Sequence, residues 1–203
     1  MKLNLKIFSI SALFAVTLAP NVAHAGSWSI TPIVGYEQVT VPTPKAPLKF
    51  NVNFYGTAAR YQFNNGVFLG GAASLGYPDN PRISGDGRYE GIIGYRKKIN
   101  GTNFSPFVLA TLGSRNIENR GNYGYYAGTV GVKYDFNKKV FADVSYRYRN
   151  TTSDELKWES NTAFVGVGYH LTPTTIVNAV YGNTFSGDFT SNSYVLSLTK
   201  IFK

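Results

Sequence analysis

Val140-Phe141-Ala142-Asp143-Val144-Ser145-Tyr146-Arg147-Tyr148-Arg149 decides how this chain is read. The even positions carry Val, Ala, Val, Tyr and Tyr, whereas Asp143, Ser145, Arg147 and Arg149 all fall on odd ones. A period of two is the repeat of an extended strand, whose successive side chains point to opposite faces. One face of this strand is therefore apolar and the other is wet and charged.

The same alternation runs outward in both directions. Tyr126, Gly128, Val130, Val132, Tyr134 and Phe136 stand against Tyr125, Ala127, Thr129, Gly131, Lys133 and Asp135. Val67, Leu69, Gly71, Ala73, Leu75 and Tyr77 share a face, as do Tyr89, Gly91, Ile93 and Tyr95 against Arg88, Glu90 and Arg96. Turn signals divide the chain into about ten such segments, each near the ~9–11 residues that a tilted strand needs to cross a bilayer. They are 27–41, 49–63, 67–78, 88–98, 104–115, 123–136, 140–150, 161–171, 175–185 and 191–202. Short connections at 64–66, 99–103, 137–139 and 172–174 alternate with longer ones at 42–48, 79–87, 116–122 and 151–160; that at 186–190 is the shortest of the second set. Tight turns at one end and longer loops at the other describe an up-and-down transmembrane barrel. Two segments fit less well. Phe50, Val52, Phe54 and Gly56 share what reads as a lipid face, so a bulge near Ala58-Ala59 is expected to bring Arg60 inside. Phe107 to Ala110 is apolar on both faces, and we place Arg115 inward with Val108, Ala110 and Leu112 outward.

Composition supports a chain that is neither soluble in the ordinary way nor helical. Charged residues make up 15% of the 203, against about 25% in soluble domains, and aromatic residues another 15%. Hydrophobic content of 43% is too low for repeated helical spans of ~20 apolar residues. Cysteine is absent, which removes disulfides, thiolate nucleophiles, Cys-ligated zinc and a lipoprotein anchor. Lys2 and Lys6, the apolar run from Ile7 to Leu18 and Ala23-His24-Ala25 read as a secretory signal peptide over 1–25, leaving 26–203 as one exported barrel domain.

A soluble periplasmic β-sandwich or lipocalin-like barrel would show the same alternation with its apolar face inward. Small residues on the apolar face (Gly128, Ala142, Ala163, Ala179), aromatic residues at strand ends and the last strand favour the membrane. Tyr36, Phe50, Tyr77, Tyr89 and Tyr148 would form one aromatic girdle; Tyr95, Phe104, Tyr134, Phe136 and Tyr169 would form the other.

The segments Phe141 to Arg149 and Ala163 to Leu171 resemble the last two strands of small outer-membrane β-barrels of the OmpA/OmpX-like superfamily. Tyr194-Val195-Leu196-Ser197-Leu198-Thr199-Lys200-Ile201-Phe202 resembles the terminal strand that the outer-membrane assembly machinery recognises, although Lys200 takes a position usually apolar and Lys203 follows the aromatic. The resemblance implies an all-β, antiparallel barrel in the bacterial outer membrane. Typical members have eight strands; the hairpin from Thr175 to Phe202 argues for ten.

Chemistry is sparse. His170 is the only histidine left after Ala25, it lies beside a short turn, and no serine stands two residues on, so a hydrogen-bonded lumen or rim histidine is the expected role. One histidine without cysteine makes a poor metal site, and no cofactor is expected. Arg88, Glu90, Arg96, Lys133, Asp143, Arg147 and Arg149 read as lumen charges, with Asp143 and Glu90 paired to arginines along the same face of their own strands. Asp79, Asp86, Asp154, Glu155 and Glu159 read as solvated loop charge, with loose divalent-cation binding as the competing use. Arg82, Arg115, Arg120 and Lys157 are candidate contacts to lipopolysaccharide phosphates, against scattered solubilising charge. Nucleic acid is not an expected partner of an exported chain. The leading expectation is a non-enzymatic outer-membrane barrel with a structural role or a narrow diffusion path. A surface adhesin is the alternative, and a lipid- or peptide-cleaving enzyme follows.

Overall fold

A computed structural model describes residues 26–202 apart from 82, 118–120 and 153–157. The expected signal segment therefore lies outside the described residues, as do Arg82, Arg120, Asp154, Glu155 and Lys157.

The alternating segments form ten antiparallel strands: β1 (Ser27–Val41), β2 (Leu48–Gln62), β3 (Val67–Pro78), β4 (Asp86–Arg96), β5 (Phe104–Ile117), β6 (Gly121–Asp135), β7 (Val140–Thr151), β8 (Glu159–Thr172), β9 (Thr175–Phe185) and β10 (Thr190–Phe202). Each pairs with its sequence neighbours, and β1 pairs with β10 from Trp28 opposite Phe202 to Thr40 opposite Thr190. The sheet closes on itself, so no strand is left with an unpaired edge. Both described ends of the chain share one rim with the short turns, which marks that rim as periplasmic in barrels built this way. Gly66 closes the first of these turns at φ 95, a backbone region that favours glycine, beside an Asn65 side chain that accepts the Val67 N–H at 3.1 Å.

Burial follows the two-residue period around the whole barrel. Outward positions carry Val34, Leu69, Ile93, Leu112, Val130, Val144, Val167 and Leu198, all exposed on the protein alone and positioned to meet lipid. The outer tyrosines are tied to outward amides: Tyr146 Oη donates to Asn161 Oδ1 at 2.5 Å, and Tyr181 Oη to Asn192 Oδ1 at 2.6 Å. At the periplasmic rim Phe104 packs tilted against Tyr134, and Tyr134 edge-on against Phe136, with centroids 4.8 and 5.0 Å apart. These rings supply the girdles, with one correction. Phe50 is not among them.

The second strand runs in a single phase. Its register against β1 and β3 is unbroken, so the bulge expected at Ala58-Ala59 is absent. Arg60 points inward because every even residue of β2 does, and Phe50, Val52 and Phe54 line the interior with it. The reason is that the interior has an apolar side. Ile33, Val52, Phe54, Phe164, Val180 and Val195 pack together inside the wall made by β1, β2 and β8 to β10.

Glycine and aromatic residues alternate across strands to fill this interior. Phe54 stands opposite Gly35, Phe68 opposite Gly94, Phe107 opposite Gly131, Tyr125 opposite Gly113, Phe141 opposite Gly168 and Phe164 opposite Gly182. In every pair the aromatic ring lies where the glycine's Cβ would be. A large residue can fold flat across its neighbour only when that neighbour has no side chain, and the pairs bring rings into the interior without widening the barrel.

Candidate functional site in the barrel lumen

The other wall, β4 to β7, gathers the charge. Asp86, Arg88, Glu90 and Arg96 descend β4 on its inner face, and Arg115, Tyr125, Lys133, Asp143, Arg147 and Arg149 project from the next three strands. Arg88, Arg96, Arg115, Arg147, Arg149 and Lys133 are among the most deeply buried large side chains of the molecule. The residues read as lumen charges thus stand on inward positions of the barrel wall.

Asp86 is the centre of the upper cluster. It is the first residue of β4 and buried, so it is not solvated loop charge. Its Oδ2 accepts Arg88 Nε at 3.0 Å and Arg115 Nε at 2.6 Å. Arg115 is accordingly turned away from the lipid and buried at 2% exposure, which removes it as a lipopolysaccharide contact. Glu90 accepts a hydrogen bond from Tyr125 Oη at 2.6 Å. Glu37, fully buried on β1, adds a carboxylate that the sequence reading did not single out.

Below this cluster the cations rest on rings and hydroxyls. Arg147 donates from Nε to Thr129 Oγ1 at 3.1 Å and lies over Phe164, 5.7 Å from its centroid. Arg149 lies between Tyr125 and Trp158, at 5.2 and 5.3 Å. Lys133 pairs with Asp135 at 2.7 Å and sits 4.1 Å over Phe141. Asp143 stands opposite Lys133 across β6 and β7, and Arg60 lies over Phe68 at 5.0 Å. Such stacking gives a guanidinium an electrostatic partner where carboxylates are few.

At the long-loop end of the interior two aromatic residues form a stacked lid. Trp158, just before β8, and Phe189, just before β10, stack with centroids 6.1 Å apart and planes 8° from parallel. Both are almost fully buried. Trp158 is fixed by exchange with Thr151: the Thr151 N–H donates to Trp158 O at 3.1 Å, and the Trp158 N–H to Thr151 Oγ1 at 3.2 Å.

His170 faces the periplasmic end of the lumen, half-buried, with its ring 5.6 Å from that of Phe141. Its backbone N–H donates to Lys139 O at 2.8 Å. Among the described residues no group of His, Cys, Asp and Glu is arranged to hold a metal ion. Glu37, the Asp86 hub and the lid formed by Trp158 and Phe189 are what sequence reasoning missed. A carboxylate at an inward position of β1 was the one available signal, whereas the lid follows from no spacing.

A closed ten-stranded sheet with an apolar outer wall, aromatic belts and a charged interior defines a transmembrane outer-membrane barrel. The chain belongs to the outer membrane protein beta-barrel domain family, which it matches over residues 8–170, so the hairpin of β9 and β10 lies beyond the matched segment. No curated protein matches it. Among solved structures it is similar to an outer membrane channel from Pseudomonas putida F1, at 8% identity and a TM-score of 0.60, covering 89% of this chain and 97% of that one. It is also similar to the beta domain of the Bordetella autotransporter Brka, at 11% identity and a TM-score of 0.56, covering 88% and 100%. The translocator domain of the autotransporter NalP from Neisseria meningitidis follows, at 11% identity and a TM-score of 0.51, covering 87% and 88%. At these identities the likeness is one of fold.

Proposed function

We propose that the protein is a non-enzymatic integral barrel of the outer membrane whose lumen is packed shut, with a structural role in that membrane. One observation carries this reading: Arg88, Arg115, Arg147, Arg149 and the rings lying across glycines crowd the interior, with Trp158 and Phe189 stacked and buried at its long-loop end. A barrel of this strand number is only slightly wider than those whose side chains fill them completely. The terminal strand presents Tyr194, Leu196, Leu198 and Phe202 outward, which is the surface we assign to recognition by the assembly machinery.

A narrow path for small anions is the second reading. It draws on the surplus of buried cations, Arg60, Arg96, Lys133, Arg147 and Arg149, beside Asp143 and Glu90. Planar-bilayer recording of the purified protein separates the two. Absence of discrete steps is the expected result, and stable anion-selective steps from the unmodified protein would replace the first reading with the second.

A further inference from the structure

The chain is basic, and among the described residues most of its exposed positive charge stands at the rim of the short turns. Among the described residues, exposed charges at the long-loop rim are Lys45 and Lys49 against Asp79, Glu159 and Asp188. The periplasmic rim instead carries Lys97 and Lys98 after β4, Lys138 and Lys139 before β7, and Lys200 on β10, all exposed. Among the described residues the single ion pair made by these lysines is Lys98 Nζ with Asp135 Oδ2 at 4.0 Å. Asp135 is in turn held by Lys133.

These lysines form one continuous arc. Asp135 N donates to Asn103 O at 3.0 Å, His170 N to Lys139 O at 2.8 Å, and Ile201 N to Thr174 O at 2.8 Å, so each turn is joined to the next from β4 round to β10. Lys200 Nζ is drawn toward this edge by Thr174 Oγ1 at 3.1 Å and Thr175 Oγ1 at 3.3 Å. Each lysine stands within two or three residues of a girdle ring, Tyr95, Phe136 or Phe202. Aromatic belts mark the boundary between hydrocarbon and headgroups, so ammonium groups just beyond them lie in the headgroup layer.

We propose that this arc binds anionic phospholipid headgroups of the inner, periplasmic leaflet. Charge complementarity and depth together select that partner: a cell-wall polymer lies beyond the headgroup layer, and Lys200 stands at an outward, lipid-facing position of β10 with its ammonium held at the rim. A lysine near an anionic membrane surface strengthens binding about five-fold.

The test uses the full protein reconstituted in phosphatidylcholine bilayers, with spin-labelled phosphatidylglycerol or spin-labelled phosphatidylcholine as the probe. The protein should associate with the phosphatidylglycerol label at least about two-fold more strongly, and the preference should vanish at high salt. Lys97→Gln/Lys98→Gln/Lys138→Gln/Lys139→Gln should bring the two labels to parity. Arginine at the same four positions, and separately Lys45→Gln/Lys49→Gln, should leave the preference intact, with heat-modifiable migration confirming that each variant is folded. Parity in the unmodified protein, a preference insensitive to salt, or a loss that follows Lys45 and Lys49 would overturn the proposal. So would binding to purified cell-wall sacculi that depends on the arc in a protein showing no lipid preference.

Discussion

Arg88 and Arg115 stand directly opposite each other on β4 and β5, and both end on the same carboxylate oxygen of Asp86. Like charges facing each other across a ladder destabilise a sheet unless a counter-ion lies between them. Removing Asp86 leaves two buried guanidinium groups without it, so Asp86→Ala should cost about 3–5 kcal/mol. Urea unfolding in lipid vesicles measures this, with Asp188→Ala, an exposed loop change, expected within about 0.5 kcal/mol of the parent.

Glycines on the two faces should respond in opposite ways. A Cβ at Gly94 would meet the Phe68 ring and Leu109, so Gly94→Ala should cost about 1–3 kcal/mol through overpacking. Gly128 faces outward, and a Cβ added there would meet nothing within 4 Å, so Gly128→Ala should change stability by less than about 0.5 kcal/mol. Equal costs in the same unfolding assay would mean that the rings do not depend on the glycines.

The membrane face is directly addressable at Val130 and Val144, both about half exposed on the protein alone. Arginine at either should cost about 2–4 kcal/mol near the bilayer midplane. Ser145 follows Val144 on the lumen side of the same strand, and its replacement should be milder. Single cysteines at Val130, Val144 and Val167 should be quenched by bilayer-embedded groups and spared by a water-soluble maleimide. Labelling by the aqueous reagent at all three positions would count against outward-facing valines.

The lid predicts a gain of function. Trp158→Ala/Phe189→Ala removes the stacked pair over Arg149 while leaving every strand in place. If the lid is the outer seal, small irregular conductance should appear in bilayer recordings where the parent is silent. Continued silence would locate the seal deeper, at the rings lying across glycines.

The strands were legible because lipid outside and charge inside write a strong alternation, as in β4, where Asp86, Arg88, Glu90 and Arg96 share one face. That contrast fades on β2. Phe50, Val52 and Phe54 resemble lipid-facing residues, and local pattern does not distinguish an apolar lumen wall from a membrane wall. Arg60 was the decisive residue: a strand without a bulge must place its whole parity with the buried charge. Pairs such as Phe141 with Gly168, and the sharing of Asp86 by two strands, require register, which strand-by-strand reading does not supply.

The seam between β1 and β10 joins residues near the two ends of the described chain, Trp28 and Phe202. Every other ladder is a local hairpin, but the wall is incomplete until the last strand has been delivered to the first. In hydrocarbon an unfinished edge exposes backbone N–H and C=O groups with no water to satisfy them. A nascent or truncated chain therefore has no stable partial structure to leave in the bilayer. Pairing of β10 with β1 is thus the contact on which the lipid stability of all the other ladders depends.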